Sequence, residues 1–143
     1  MPSWPDNALS SLQAAGLRRG GARRAVVDYL ALQECCRSAQ EIHEGIRDRG
    51  GDVGVASVYR ALDTLLELEL VQRVDIGDGI ARFEPSHTGA HHHHHLVCDD
   101  CGKVEPFTDG PLERALERAA GRLGYELEQH EVVLRGACDT CRS

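Results

Sequence analysis

Two Cys-x-x-Cys pairs are the residues of this chain whose type and spacing point most directly to chemistry. Cys98 and Cys101 form the first pair, and Cys138 and Cys141 form the second. Two residues between thiols let both sulphur atoms bind one ion from a tight turn, and two such pairs complete a tetrahedral site of four thiolates. Four protein ligands leave no position for a substrate, so the spacing predicts a structural zinc ion. Redox-active thiols are the alternative, but a thioredoxin-like sequence context is absent.

Five consecutive histidines, residues 91–95, stand just before the first cysteine pair. Successive side chains of a β-strand point to opposite faces, so His92 and His94 would share one face. The opposite face would carry the other three: His91, His93 and His95. One short strand could therefore serve two metal sites. Imidazole binds zinc, ferrous iron, nickel and copper, so the histidines do not select the metal. A solvated polar segment with incidental metal affinity is the alternative.

Each face of that strand needs further ligands to complete a site. For the His92 and His94 face, Glu113 and His130 are candidates from a following helix and the last strand. For the other face, the candidates come from the first half of the chain and from the segment after the first cysteine pair: Glu84, Glu105 and one of Cys35 and Cys36. The alternatives are a solvated helix residue for Glu113 and a small buried hydrophobe for Cys36. Ligands from both halves of the chain would fix their relative angle when metal binds.

The first half of the chain has the pattern of a winged-helix module. Apolar residues at helical spacing predict three short helices before residue 50, the third begun by a capping box of Ser38 and Glu41. A fourth helix is predicted over residues 55–70. Two β-prone segments, 70–76 and 80–85, follow and are joined by Gly-Asp-Gly, which predicts a hairpin. Short helices before a hairpin are typical of a winged helix, in which the fourth helix here would be the recognition helix.

The second half predicts a small α+β module around the cysteine pairs. Strands flank the first pair, a helix covers residues 111–124 with Pro111 in its first turn and Gly124 at its end, and a last strand covers 130–135. The expected fold class is therefore α+β. We expect three segments: a winged-helix DNA-binding domain over 1–85, a hinge over 86–91 and a metal-binding domain over 92–143.

The charge of the chain is divided unevenly. Residues 1–60 hold eight basic and seven acidic residues, whereas residues 61–143 hold eight and sixteen, so net charges of +1 and −8 give the total of −7. Only the first half is therefore suited to approach DNA. No apolar stretch approaches the roughly 20 residues of a membrane span. The N-terminus lacks a signal-peptide pattern, so we expect a cytosolic protein with no membrane partner.

Three segments occur in an order that is typical of one family. They are "GVASVYRAL" in the fourth helix, "HHHHHLVCDDCGKVEPF", and the final "CDTC". On these segments the chain resembles the ferric uptake regulator family over nearly its whole length. The resemblance implies a cytoplasmic, homodimeric winged-helix repressor, not an enzyme, that binds a palindromic double-stranded DNA operator when loaded with metal. Subfamilies sense iron, zinc, nickel, manganese or peroxide.

The resemblance also implies three metal sites. The structural zinc site falls on the four cysteines of the two pairs. A site within the dimerisation module falls on His92, His94, Glu113 and His130. A regulatory site at the hinge falls on Cys36, Glu84, His93 and His95, with Glu105 as a further candidate. The implied cofactors are a structural Zn²⁺ and a regulatory Zn²⁺ or Fe²⁺.

The chain departs from the family pattern at several positions of the regulatory site. Cys36 stands where the family usually has histidine, and Pro106 stands where the iron-sensing pattern has glutamate. Ser86 or Glu84 stands where many zinc-sensing members carry a cysteine. Glu84 argues against the peroxide-sensing branch, which uses aspartate. A thiolate from Cys36 favours zinc over iron as the sensed metal.

The resemblance places part of the fourth helix at the DNA. Tyr59 and Arg60 would contact it, together with Ser57, where threonine is common in the family. Arg60 suits a base or phosphate contact, whereas packing in the core is the alternative for Tyr59. Basic residues near the second helix would contact the DNA backbone: Arg18, Arg19 and Arg23.

Two other functions compete with the repressor. A metal-buffering or metal-chaperone protein would use the ligands but would leave the helix-hairpin module without a role. A zinc-dependent hydrolase would need an open coordination position on the metal, and the His-Glu-x-x-His motif typical of such enzymes does not occur in the sequence.

Overall fold

The computed structural model describes residues 3–18, 21–86 and 92–142, which form two compact units, Met1–His87 and Thr88–Ser143. The N-terminal unit contains seven elements: α1 (Trp4–Ala14), α2 (Ala22–Ala31), β1 (Arg37–Ser38), α3 (Ala39–Asp48), α4 (Val55–Glu67), β2 (Val71–Val74) and β3 (Arg82–Pro85). The C-terminal unit contains four: β4 (His94–Cys98), β5 (Val104–Phe107), α5 (Gly110–Arg122) and β6 (Val133–Gly136). The predicted α+β fold class is confirmed.

One apolar core holds the N-terminal unit together. On α4 the side chains that it buries recur every three or four residues: Val58, Ala61, Leu62 and Leu65. They pack with buried leucines, valines and isoleucines of α1, α2 and α3, and each buried aliphatic side chain contributes about 1.5–3 kcal/mol. The indole N–H of Trp4 donates to the carbonyl of Leu70 at 2.8 Å, which ties α1 to the segment after α4.

The predicted hairpin and capping box are both present in the N-terminal unit. β2 and β3 pair antiparallel, and their connecting turn contains Gly77 and Gly79 at φ 87° and 79°, a region that favours glycine. The Ser38 hydroxyl accepts a hydrogen bond from the Glu41 backbone N–H at 3.1 Å. In return, the Glu41 carboxylate accepts one from the Ser38 backbone N–H at 3.0 Å. The structure adds β1, which pairs with β3 and gives the sheet order β1-β3-β2.

A glycine allows α2 and α3 to approach closely. A Cβ atom built on Gly45 of α3 would lie 2.5 Å from Cζ and 2.6 Å from Oη of Tyr29 on α2. We expect Gly45→Ala to lower the free energy of unfolding by about 1–2 kcal/mol, because overpacking outweighs the better helix propensity of alanine. Denaturant unfolding followed by Trp4 fluorescence measures it. Gly121→Ala, where nothing lies within 4 Å of the new Cβ, is the control. Equal or greater stability of Gly45→Ala would contradict the packing argument.

The C-terminal unit is a three-stranded sheet with one helix and little apolar core. β4 is the central strand, antiparallel to β5 and parallel to β6, and α5 lies between β5 and β6 in sequence. Asp109 caps α5 by accepting from the Leu112 backbone N–H at 2.9 Å. Among the described residues of this unit the buried ones are few: His94, His95, Val97 and Cys98. None of the α5 side chains is buried. Apolar burial therefore contributes little to the stability of this unit.

Several element boundaries differ from those predicted. The boundary between the two units falls inside the expected hinge, of which residues 87–91 lie outside the described part of the chain. β4 begins at His94 rather than at residue 91, so His92 and His93 precede the strand. α4 ends at Glu67 rather than at residue 70. Across the described ranges, no helix combines the length and apolar character that crossing a membrane requires.

Candidate metal centres and DNA-contacting residues

Backbone hydrogen bonds bring the two cysteine pairs together. Cys98 is the last residue of β4, and its backbone N–H and C=O bond to Lys103 and Gly102, each at 2.9 Å. Gly102 has a φ of 78°, which favours glycine in this tight turn. β6 runs parallel to β4 with Gly136 opposite Cys98. The second cysteine pair, two residues further along the chain, therefore lies beside the first.

The four thiols form one cluster. The sulphur atoms of Cys98, Cys101, Cys138 and Cys141 all lie within 4.8 Å of one another. Backbone N–H groups of Cys138 and Cys101 donate to the sulphur of Cys98 and lower the pKa of that thiol to about 6. The neighbouring thiols of Cys138 and Cys101 raise the pKa of Cys141 to about 12. The cluster thus contains one thiol that ionises readily, Cys98, and one that needs a nearby cation to ionise, Cys141.

A second cluster joins β4 to α5 and to the segment before β6. One carboxylate oxygen of Glu113 bonds to Nε2 of His94, and the other lies 2.5 Å from Nε2 of His130. The ring of His92 lies 4.6 Å from that of His94 and 4.7 Å from that of His130. One ligand atom from each of the four residues lies within 4.8 Å of the others. The structure thus gathers all four residues predicted for the site in the dimerisation module.

The charges in this second cluster favour a cation. Burial raises the pKa of Glu113, but hydrogen bonds from His94 and His130 lower it more strongly. The pKa of this carboxyl group therefore lies below the ordinary value for glutamate. Burial, together with the neighbouring rings of His94 and His130, lowers the pKa of His92, which keeps its imidazole neutral. Imidazole nitrogens around a carboxylate are a donor set that zinc and other transition metals take.

His95 of β4 and His93, which precedes the strand, form a pair on the opposite side from His94. The ring centroids of His93 and His95 lie 5.0 Å apart, and each residue offers a ring nitrogen within 4.8 Å of the other. His95 is 2% exposed. The alternation predicted for the histidine run therefore holds for four of its members. His91 lies outside the described residues.

In the N-terminal unit, Glu84 lies beside two cysteines. Glu84 is 1% exposed, and the side-chain amide of Gln72 donates to its carboxylate at 2.6 Å. The sulphur of Cys35 lies within 4.8 Å of a Glu84 carboxylate oxygen. The Cys35 thiol, burial and the charge of Glu84 raise the pKa of Cys36 far above its ordinary value. The prediction from the family resemblance named Cys36, and the structure adds Cys35 as a thiol next to Glu84.

Glu105 is not brought to the His93 and His95 pair. β5 pairs Glu105 with Leu96 and pairs Pro106 with His95, and directly paired residues share a face of the sheet. The carboxylate of Glu105 instead accepts from Nζ of Lys103 at 2.9 Å. Glu105 therefore lies on the same face of the sheet as His94. The residue on the same face as His95 is Pro106, whose side chain has no atom that can bind a metal ion.

The residues predicted to contact DNA are available on the surface of the N-terminal unit. Tyr59 is 53% exposed, so it does not pack in the core. Arg60 is exposed, and its guanidinium donates to the half-buried Ser57 hydroxyl at 3.1 Å. Arg18 is exposed and Arg23 is half-buried, whereas Arg19 lies outside the described residues.

One residue of the N-terminal donor group was missed by the sequence analysis. Gln72 positions the Glu84 carboxylate, and the two residues are direct partners across the β2–β3 hairpin. Extending the predicted hairpin pairing outward from its turn would have found this contact, because an antiparallel register fixes every partner once the turn is placed.

The chain is similar to known proteins along most of its length. Residues 14–135 match the ferric uptake regulator family. The ferric uptake regulation protein of Bacillus subtilis (strain 168) is 33% identical over 138 residues, which cover 95% of this chain and 93% of that protein.

The chain is also similar to solved structures of regulators. The Vibrio cholerae ferric uptake regulator gives a TM-score of 0.79 at 35% identity, covering 90% of this chain and 98% of that one. The Helicobacter pylori regulator gives 0.81 at 25% identity, covering 96% and 93%. The four-thiolate cluster is consistent with a structural zinc ion, and the histidine and glutamate donors described above are consistent with a regulatory metal. Matched along most of its length, this chain belongs to the ferric uptake regulator family, whose members are metal-responsive, DNA-binding transcription regulators and not enzymes.

Proposed function

We propose that this protein is a cytoplasmic, metal-dependent repressor of metal-uptake or metal-homeostasis genes, that it binds its operator as a homodimer, and that it responds to zinc rather than iron. The observation that carries the proposal is the division of donors across β4. One face of the strand completes a cluster with Glu113 and His130, and the other presents His93 and His95 as a separate pair. One strand thus serves two different purposes.

The regulatory metal takes ligands from both units in this proposal. His93 and His95 offer two nitrogens, and the N-terminal unit offers a thiol from Cys35 or Cys36 and a carboxylate from Glu84. Two donors from each unit make the four that a tetrahedral ion needs. An ion held in this way restricts the orientation of the winged helix relative to the dimerisation domain, and this restriction is the switch. Metal binding then selects the arrangement that fits the operator.

The other two clusters have supporting roles in the proposal. The ion bound by Cys98, Cys101, Cys138 and Cys141 holds the C-terminal unit together. The site of His92, His94, Glu113 and His130 stabilises the same unit from its other end. The structure of the Helicobacter pylori regulator reveals three functional metal-binding sites, and the present chain offers donors for three.

Homodimerisation is supported by apolar side chains on the C-terminal unit. Leu123 is 78% exposed, Tyr125 is 73% exposed and Leu134 is 46% exposed. Exposed apolar residues on a unit with so little core of its own are typical of a surface that a partner covers. A dimer also presents two copies of α4, which suits a palindromic operator.

Zinc is favoured over iron by the donors on both sides of the regulatory site. A cysteine thiol lies beside Glu84 in the N-terminal unit. Pro106 lies opposite His95 on the same face of the sheet, and its side chain offers no oxygen or nitrogen ligand there. Exchanging nitrogen and oxygen ligands for sulphur moves the preference from ferrous iron and manganese towards zinc.

The operator is contacted from α4 and its surroundings in the proposal. Tyr59, Arg60 and Ser57 read the major groove, and the arginines at positions 18, 19 and 23 bind phosphates. The first four backbone N–H groups of α4 follow Gly54, and a helix N-terminus attracts a phosphate group.

The test is anaerobic fluorescence anisotropy with DNA from the region upstream of the protein's own gene. The protein keeps its four-cysteine zinc, its weaker sites are stripped, and buffered zinc or ferrous iron is added. We expect zinc to raise the affinity for DNA by about 5- to 150-fold, the usual range of allosteric coupling. His93→Ala should keep the fold, judged by circular dichroism, and lose most of that increase.

His43→Ala is the matched control, because His43 lies on α3 and belongs to none of the three clusters. Its ratio of affinities with and without zinc should equal that of the wild type. If His93→Ala binds DNA as the wild type does at every metal concentration, the regulatory site is misassigned. Activation by ferrous iron alone would make the protein an iron regulator. Binding with neither metal would favour the metal-buffering function.

A further inference from the structure

Cys35 and Cys36 are adjacent in sequence and their side chains are adjacent in space. The two residues are 4% and 2% exposed, and their sulphur atoms lie 3.8 Å apart. The first residue of β1, Arg37, follows directly, and its guanidinium donates to the carbonyl of Cys36 at 2.9 Å. The backbone after the pair is therefore anchored, which limits the directions that the two thiols can take.

The distance between these sulphur atoms is the one that a shared metal ion requires. Two thiolates bound tetrahedrally to one zinc ion, with bonds of roughly 2.3 Å, place their sulphur atoms about 3.8 Å apart. The four-cysteine cluster offers a reference within the same chain, where the sulphur atoms of Cys101 and Cys138 lie 3.9 Å apart. The pair thus has the spacing of a chelating dithiolate without any rearrangement.

A buried carboxylate lies next to the thiol pair. Glu84 is almost fully buried, lies within 4.8 Å of the sulphur of Cys35, and is oriented by Gln72. The pair therefore does not lie in purely apolar surroundings.

We propose that Cys35 and Cys36 chelate one thiophilic cation as a dithiolate, which replaces the one thiol and Glu84 as the two-donor contribution of the N-terminal unit. Binding releases the two thiol protons to solvent. Two sulphur ligands select zinc, and its heavier analogue cadmium, over ferrous or manganous ions. The inference rests on the proposed function, because it makes the N-terminal contribution to the regulatory site a two-sulphur one. The two sulphur ligands of the N-terminal unit are by themselves sufficient to favour zinc over iron. The competing explanation is that the thiols pack as two small hydrophobic side chains.

Cobalt(II) substitution tests the dithiolate directly. The full chain keeps zinc in its four-cysteine site, and cobalt is titrated into the remaining sites. Sulphur-to-cobalt charge transfer absorbs in the near ultraviolet in proportion to the number of thiolate ligands. The four-cysteine site, loaded with cobalt in a separate preparation, gives the intensity of four thiolates as an internal standard. We expect the titrated wild type to reach half of that intensity.

Alanine variants assign the absorption to individual thiols. Cys35→Ala and Cys36→Ala should each halve the charge-transfer intensity, and the double variant should abolish it. The double variant should also lower zinc affinity by more than roughly 100-fold, because even the loss of an outer partner of a metal ligand costs about 10- to 100-fold. Trp4 fluorescence checks the fold, and the Cys→Ser variants repeat the series if alanine disturbs packing.

Two results would overturn the inference. Loss of all intensity in one single variant, with none lost in the other, would show a single thiolate ligand. Full intensity in every variant would show that the pair only packs. The readout needs no DNA, so a protein that shows the two-thiolate absorption but no metal-dependent DNA binding would refute the proposed function and keep the dithiolate.

Discussion

Cys98→Ser is expected to release the structural zinc and unfold the C-terminal unit. The thiol of Cys98 accepts from backbone N–H groups of both cysteine pairs, so its loss disrupts both turns. A structural zinc ion contributes on the order of 10 kcal/mol to the folding of a small domain. This unit has few buried residues with which to offset that loss. Dimerisation should be lost as well, because the apolar surface of the unit depends on its fold.

Zinc content by mass spectrometry and hydrogen exchange measure this outcome. We expect β4, β5 and β6 to lose protection in the variant, while α2, α3 and α4 keep theirs, because their core is separate. His43→Ala is the control: it removes a possible metal ligand of the other unit that belongs to none of the clusters, and it should leave the zinc content unchanged. A Cys98→Ser protein with full zinc content and unchanged exchange in β4 would refute a structural role for the cluster.

The parts of the fold that were predicted correctly depend on local sequence. The spacing of each cysteine pair sets how its thiols can meet one ion, and this geometry needs only four consecutive residues. The Ser38–Glu41 capping box and the β2–β3 hairpin are also determined by a few neighbours. The alternation of the histidines follows from strand geometry and holds even though His92 and His93 precede the strand.

The parts that were not predicted depend on pairing between distant residues. The parallel pairing of β6 with β4 brings the second cysteine pair to the first, and the spacing along the sequence does not reveal it. Glu105 and Pro106 differ by one position, and only the register with β4 decides which of them shares a face with His95. The strand β1 has two residues, too few to show any alternation.

The choice between Cys35 and Cys36 shows the same limit. Adjacent residues in an irregular segment have no period that assigns each side chain to a face. Alignment with the family pattern selected Cys36, whereas the structure places Cys35 beside Glu84 and keeps both thiols together. Tertiary packing of the segment against β3 therefore decides which thiol is near the carboxylate.

Arg60→Ala is expected to weaken operator binding by about 5- to 150-fold, the range for losing one good contact to a base. Arg60 lies on the exposed side of α4, opposite the buried Val58, Ala61 and Leu62. Its removal should therefore leave the free energy of unfolding unchanged. The Arg60 guanidinium donates to the Ser57 hydroxyl at 3.1 Å and is therefore held in place before DNA binds. This lowers the entropic cost of the contact with DNA.

Anisotropy titrations with zinc-loaded protein distinguish a base contact from a phosphate contact. If Arg60 reads a base, the loss falls on the operator and much less on a random duplex of the same length. If it binds a phosphate, both duplexes weaken alike and the salt dependence falls by about one unit of slope. Arg118→Ala is the control, since it removes the same charge from an exposed position of α5. Equal weakening by the two variants would mean that α4 is not the recognition helix and that the arginines act only through net charge.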